Sequence, residues 1–129
     1  MNQDTFNTFC GALPATSYVS QWGGADVWKI GQGKSAKVFA IGWFGNGKYA
    51  GITFKVSPLA YEVLKDQPGL RPAPYFASRG IKWIQHYSEP GLPDPALKEH
   101  LTESHRLVAM AMSKSQRRKL DLYEDESED

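Results

Sequence analysis

The chain has 129 residues and a net charge of +1, with 41% hydrophobic and 22% charged residues. This composition is typical of one soluble globular domain, and no apolar run approaches the roughly 18 residues of a membrane span. The single cysteine, Cys10, excludes an internal disulfide and a cysteine-based zinc site. The opening residues also lack the Lys or Arg of a secretory signal, so we expect a cytoplasmic protein without membrane contact.

The charge is distributed unevenly along the chain. Residues 124–129 (EDESED) hold five of the 14 acidic residues, so the chain before them carries 15 basic and nine acidic residues, a net charge of +6. We predict a single α+β domain at residues 1–121 and an acidic, disordered tail at residues 122–129. The tail is either solvated, as charge runs usually are, or an anion that competes for the basic face of the domain.

The first predicted element is a helix that starts near Asp4 and ends before Pro14. Its apolar residues recur at i, i+3, i+4 and i+7, namely Phe6, Phe9, Cys10 and Leu13. Cys10 lies on this apolar stripe and has no adjacent basic partner. We therefore interpret it as a small buried hydrophobic residue rather than a reactive thiol.

Residues 18–56 follow a β pattern. Four short runs rich in Val, Ile, Phe, Tyr and Trp are separated by breaks that contain Gly. Two breaks share the form G-x-G-K and end at Lys34 and Lys48, and Asn46-Gly47 in the second favours a tight hairpin turn. Neither has the spacing of a phosphate-binding loop. They are either turns with solubilising lysines or a pair of projecting cationic fingers.

The remaining chain predicts two helices with two strands between them. Ser57-Pro58 and Asp94-Pro95 are typical helix starts, and the last helix is expected to continue through Met112 into the basic run that ends near Lys119. The order of α, three or four strands, α, two strands, α indicates an α+β domain. Its helices are expected on one face of a mostly antiparallel sheet.

Residues 71–87 (RPAPYFASRGIKWIQHY) interleave cations with aromatic residues. The two prolines predict an irregular or edge segment, and the second half alternates as a strand does. This alternation places Trp83 and Tyr87 on one face and Lys82 and His86 on the other. Most of the aromatic residues are therefore expected to be structural, with Phe76 and Trp83 interpreted as core residues more readily than as stacking platforms.

No pattern of catalytic residues stands out. His100 and His105 are five residues apart on a helix and cannot both face one metal ion. Ser104 and His105 are sequence neighbours whose side chains diverge, and Glu99 and Glu103 are typical of a solvated helix surface. We predict no enzyme activity, no metal site and no cofactor.

Several short motifs, in their order along the chain, resemble the MmcQ/YjbR-like family of small bacterial proteins. They include a first helix that ends in Leu-Pro, the Ser57-Pro58 helix, the P-G-x-R-P turn at residues 68–72, the Lys82-Trp83 strand and a closing helix with His105. The resemblance covers roughly residues 5–120. It implies a two-layer α-β(3)-α-β(2)-α domain that is similar to secretion chaperones and to frataxin-like CyaY. The first helix offers Asp4 alone as an acid, which disfavours frataxin-like iron binding.

The resemblance also implies a function, because family members are often labelled as predicted DNA-binding proteins with a double-wing motif. The leading hypothesis is a non-catalytic nucleic-acid-binding module, and its predicted site residues are Arg71, Arg79, Lys82, Lys34, Lys48 and Lys55. Arg79→Ala combined with Lys82→Ala is expected to weaken binding without unfolding the domain. The alternative is a protein-interaction or chaperone-like module that docks a peptide or forms a homodimer. A third hypothesis, a small-molecule site between sheet and helix, requires a pocket there.

Overall fold

The computed structural model describes residues 1–76 and 80–123, which form four α-helices and six β-strands. In chain order these are α1 (Gln3–Ala12), β1 (Thr16–Gln21), β2 (Ala25–Ile30), β3 (Lys37–Trp43), β4 (Gly51–Lys55), α2 (Pro58–Leu64), β5 (Leu70–Pro72), β6 (Trp83–His86), α3 (Asp94–Met110) and α4 (Lys114–Lys119). The α+β class is confirmed. The first strand group has four strands, the upper of the two numbers that the sequence allowed and one more than the family resemblance implied.

The strands form one antiparallel sheet in the order β1-β2-β3-β4-β6-β5. Helix α1 lies against β1 to β3, α3 lies against β2 to β4, and α2 lies against β5 and β6. All three contribute to one buried core with the strands. Its fully buried large side chains include Phe6, Phe39, Phe54, Ile84, Leu97 and Leu101. We call the side of the sheet that these helices cover the helix face, and the opposite side the open face.

Helix α1 packs closely on the sheet at Gly42 in β3. A Cβ atom at this position would lie 2.6 Å from a ring carbon of Phe6 and 2.6 Å from one of Phe44, so only glycine fits beneath the two rings. Cys10 is fully buried on α1, as its place on the apolar stripe indicates, and this burial raises the pKa of its thiol far above the usual range.

The last predicted helix is two helices. Helix α3 ends at Met110, and the Ser113 hydroxyl accepts a hydrogen bond from the Gln116 N–H (3.1 Å) while the Gln116 side chain accepts one from the Ser113 N–H (3.2 Å). This reciprocal pair is a capping box, which starts a new helix at Lys114. The expectation of one continuous helix through Met112 was therefore wrong.

The β3 strand contains a bulge that α3 stabilises. The register between β2 and β3 shifts at Trp28 and Lys29, so Phe39 and Ala40 are both fully buried. The Ser104 hydroxyl of α3 donates to the Phe39 carbonyl (2.7 Å) and accepts from the Lys55 N–H (2.8 Å). Ser104 therefore satisfies two backbone groups beside the bulge, which is a structural role.

The chain after α4 packs on the helix layer. Leu122 is buried, and the Tyr123 hydroxyl lies 2.8 Å from His105 Nδ1, while His105 Nε2 lies 2.8 Å from the Pro14 carbonyl oxygen. Because a carbonyl only accepts, Nε2 carries the proton and Nδ1 accepts from Tyr123. Packing thus extends two residues past the predicted boundary at residue 121, and the rest of the predicted tail, residues 124–129, lies outside the described residues. Within the described ranges, no helix is long and apolar enough to cross a membrane.

Candidate functional site

The open face of the sheet carries a groove of about 750 Å³. Strand register places Ile41 of β3, Thr53 of β4 and Gln85 of β6 in one row across its floor. Most other lining side chains are aromatic: Trp22, Trp43, Tyr49, Tyr75, Phe76 and Trp83. A groove of this volume is large enough for a ligand of several ring systems. It lies on the opposite side of the sheet from the sheet–helix interface where the small-molecule hypothesis required a pocket.

Trp83 and Phe76 form the deepest aromatic part of the groove. Their rings stack with centroids 5.0 Å apart and planes inclined by 12°, and only 8% of Trp83 is exposed. The predicted alternation of this strand is confirmed, since Trp83 and Gln85 line the groove while Ile84 is fully buried on the helix face. Trp83 and Phe76 are therefore packed side chains, but they line the open-face groove and do not belong to the main core.

Trp22 and Tyr75 are the most exposed aromatic side chains of the groove, at 59% and 66% exposure. Trp22 lies in the β1–β2 turn and Tyr75 in the segment after β5, and both have left-handed backbone conformations with φ of 52° and 73°. Such a conformation costs a bulky residue about 1–2 kcal/mol relative to glycine. Both positions thus hold large rings in solvent at an energetic cost, which is a pattern found at functional sites.

The polar groups on the groove floor are Gln85 and Thr53. Gln85 is fixed, because its Oε1 accepts from Arg71 Nε (2.9 Å) and its Nε2 donates to the Tyr49 carbonyl (2.8 Å). The Thr53 hydroxyl, by contrast, has no hydrogen-bond partner within the described residues. Thr53 lines the groove with 6% of its surface exposed, so its hydroxyl is a donor and an acceptor at the floor of the groove.

The charged side chains that the described strands place on the open face are all cationic. Register places Lys29, Lys55 and Arg71 on this face, beside Val38, Trp83 and Gln85 respectively, and no acidic side chain of the six described strands shares it. The strand carboxylate Asp26 lies on the helix face, where Tyr18, Gln3 and Asn7 donate to it at 2.6, 2.8 and 3.1 Å. Although burial opposes ionisation, these three donors together hold the Asp26 pKa below its usual value.

The structure brings three of the predicted site residues to the open face or its rim. Lys55 lies opposite Trp83, and Lys48 lies in the β3–β4 hairpin with its Nζ 5.0 Å from the Tyr49 ring centroid. Arg71 donates from Nη2 to the Lys48 carbonyl (2.6 Å), and its guanidinium stacks 4.3 Å from the Tyr87 ring centroid.

The other three predicted site residues lie elsewhere. Lys82 has its Nζ 4.8 Å from the Tyr61 ring of α2, away from the groove. Lys34 lies in a 3₁₀ turn at the opposite end of β3 from Lys48, so the two G-x-G-K tips do not project side by side. Arg79 lies outside the described residues.

Sequence reasoning missed Lys29 and the aromatic residues Trp22, Trp43 and Tyr49. Period-2 alternation was available for Lys29 and Trp43, since each lies on a strand whose open-face positions can be counted from the hairpin turn. Trp22 and Tyr49 lie in turns, where no periodicity applies. Both residues reach the same groove because of the order of the strands within the sheet.

The described part of the chain shows no metal centre and no Ser–His pair. No group of three or more His, Cys, Asp or Glu side chains there could hold a metal ion. Ser104 bonds only to backbone groups, and both nitrogens of its neighbour His105 are engaged by Tyr123 and Pro14.

Comparisons with known proteins agree on the fold. A model of the YjbR family matches residues 11–107. The crystal structure of Deinococcus radiodurans protein DR2400, with a domain of the family DUF419, is similar with a TM-score of 0.80 and 21% sequence identity, over 93% of this chain and 88% of that one. At this identity the likeness shows the shared fold alone. A search of curated proteins finds no match.

Proposed function

The chain belongs to the YjbR family, and we propose that it is a non-catalytic module that binds nucleic acid on the open face of its sheet. The observation that supports this proposal is the combination of Lys29, Lys55 and Arg71 with an aromatic groove on a face whose strands carry no acid. Phosphates require cations for affinity, and bases stack on aromatic rings.

Arg71 keeps hydrogen-bond donors available for phosphate. Arg71 uses its Nε–H for Gln85 and one Nη2–H for the Lys48 carbonyl. A guanidinium has five N–H donors, so three remain, and its orientation is already fixed by these two bonds and by Tyr87. A fixed guanidinium loses less conformational entropy on binding phosphate than a free side chain does.

A second candidate function, docking of a protein partner, is favoured by helix α2. Leu59 and Val63 are four residues apart on this helix, and both are more than half exposed. Two exposed apolar residues at i and i+4 are typical of a small apolar contact with a peptide or a second copy of the chain. Docking of this kind depends weakly on salt, whereas phosphate binding depends on it steeply.

The experiment is fluorescence anisotropy with labelled single-stranded and double-stranded DNA from about 50 to about 200 mM salt. The test variant is Lys29→Ala/Lys55→Ala. The matched control is Lys98→Ala/Lys119→Ala, which removes the same charge from α3 and α4. We expect the test variant alone to bind more weakly and to reduce the slope of log affinity against log salt by about 0.7 for each lost phosphate contact with a single strand.

Absence of binding by the wild-type chain at the lowest salt would overturn the proposal. Equal weakening by both double variants would mean that net charge, and not the open face, determines binding. Binding that hardly changes with salt but is lost in Leu59→Ser/Val63→Ser would support the protein-docking candidate instead.

A further inference from the structure

From the depth and chemistry of the groove we propose that the open face selects unpaired bases over duplex, and that Thr53 is the residue that contacts the edge of an inserted base. This inference rests on the proposed nucleic-acid binding. It names the form of nucleic acid that the same site takes and one specificity-determining residue.

Selection against duplex follows from where the aromatic surface lies. Trp83 lines the groove, is only 8% exposed and stacks on Phe76. A ligand ring therefore reaches it only by entering the groove. The bases of a duplex are already stacked and paired, and exposing one costs a few kcal/mol. A single strand presents its bases at a much lower cost. The cations beside the groove can then bind the phosphates of the same strand, which supplies the charge complementarity of the site.

Trp22 and Tyr75 supply the accessible stacking surface. Trp22 lies in the turn between β1 and β2, and Tyr75 lies in the segment after β5. Both rings stand at the rim of the groove and are more than half exposed. Base–aromatic stacking tolerates any base, because every base has a flat π-face. These two residues therefore provide affinity without sequence preference.

Sequence preference requires a polar group on the floor, and Thr53 is placed to supply it. Register sets Thr53 between Ile41 and Gln85 in the centre of the sheet. The Gln85 amide is engaged on both sides by Arg71 and Tyr49, whereas the Thr53 hydroxyl has no partner among the described residues. A hydroxyl can either donate or accept, so only the positions of the polar atoms on a base edge discriminate, which gives a moderate preference.

The test uses the 129-residue chain with oligo-dT, oligo-dC and oligo-dA single strands of equal length and with a duplex of matched length. Anisotropy gives the affinities, and intrinsic tryptophan fluorescence reports stacking. Three of the four tryptophans, Trp22, Trp43 and Trp83, line the groove, while Trp28 donates to Asn7 of α1 on the helix face and supplies an unquenched background. We expect single strands to bind at least about tenfold more tightly than duplex and to quench the fluorescence.

Thr53→Val removes the hydroxyl while keeping the branched shape that suits a central strand. We expect it to weaken binding of the preferred homopolymer by about threefold to tenfold, to narrow the differences among homopolymers and to leave the salt slope unchanged. Thr53→Ser keeps the hydroxyl and should retain the preference. Thr102→Val, on the exposed surface of α3, is the matched control and should change nothing.

Each result has a distinct meaning. Equal affinity for duplex and single strands, or single-strand binding without quenching, would overturn the inference and leave nucleic-acid binding intact. Unchanged homopolymer preferences in a folded Thr53→Val would overturn the role of Thr53, and their loss in Thr53→Ser would do the same. Absence of binding to every oligonucleotide would overturn the proposed function itself.

Discussion

On the helix face of the sheet, Phe39 and Phe54 have no exposed surface, whereas on the open face Trp22 and Tyr75 leave more than half of theirs in solvent. The polar groups differ in the same way. The helix-face carboxylate of Asp26 accepts three hydrogen bonds, while the open-face hydroxyl of Thr53 has no partner within the described residues. These residues thus differ in their availability: the Asp26 carboxylate is satisfied within the domain, whereas the exposed Trp22 ring and the Thr53 hydroxyl can contact a ligand.

The largest expected effect is on stability, from a change on the helix face. Asp26→Asn replaces one of the two acceptor oxygens with an amide N–H₂ that faces the donors Gln3, Asn7 and Tyr18, so at least one of these three hydrogen bonds is lost. We expect the free energy of unfolding to fall by about 2–3 kcal/mol, measured by denaturant unfolding.

The control for this change is Asp4→Asn on the exposed first turn of α1, which should cost about 0.5 kcal/mol or less. Nucleic-acid affinity of the folded Asp26→Asn protein should match wild type. If affinity fell in parallel with stability, the two faces would not be functionally separate.

The second effect is on binding, from a change on the open face. Trp22→Gly removes a stacking ring and also suits the left-handed backbone at this position. We expect affinity for single strands to fall about 5- to 100-fold, as loss of one stacked base predicts. The free energy of unfolding should stay within about 1 kcal/mol of wild type, because the relieved strain offsets the lost packing. A large loss of stability would show that Trp22 is a structural residue.

The third effect is a difference in pH dependence: stability should depend on pH through the histidines, whereas binding on the open face should not. Burial lowers the pKa of His86, His100 and His105 below the usual 6.5, so the folded protein binds fewer protons than the unfolded chain as the pH falls below about 6.5. The stability that these neutral histidines contribute is complete above that pH and is lost as the pH falls through their folded pKa values. Thermal unfolding from about pH 8 to about pH 5 should show the decline.

His105→Gln should flatten this decline, since one of the three histidines is gone. The open-face positions of the described strands carry no histidine, so affinity for nucleic acid should hold over the same range while the protein remains folded. If affinity fell with pH while the protein was still folded, a group that titrates in this range would have to act on the open face.

The sequence predicts the elements better than it predicts the site, for a physical reason. Apolar periodicity and cap residues are local, and they located α1, the Ser57 cap of α2 and the alternation of β6. The break after α3 was missed although the S-x-x-Q capping box at Ser113 and Gln116 signals it, because the basic run beyond continues to favour a helix.

The groove, in contrast, depends on long-range strand order. Trp22 and Tyr75 are more than 50 residues apart and are brought to one groove by a sheet in which β6 lies between β4 and β5. Lys34 and Lys48 lie in matching G-x-G-K motifs that are close in the sequence, yet they are far apart in the fold. They lie at opposite ends of β3. Chemical type was therefore readable from the sequence, whereas the face on which each residue lies was readable only where a strand alternates.

The smallest expected effect concerns the acidic residues 124–129. Tyr123, the last residue that the structure describes, lies on the helix side of the sheet, where its hydroxyl hydrogen-bonds to His105 of α3. Ending the chain at Tyr123 raises the net charge from +1 to +6. We expect affinity for single strands to rise only a few-fold at about 50 mM salt and the gain to vanish near 200 mM, because screening over about 10 Å or less removes a long-range field. A gain of tenfold or more that persists at the higher salt would show that the acidic residues contact the open face directly and compete there with phosphate.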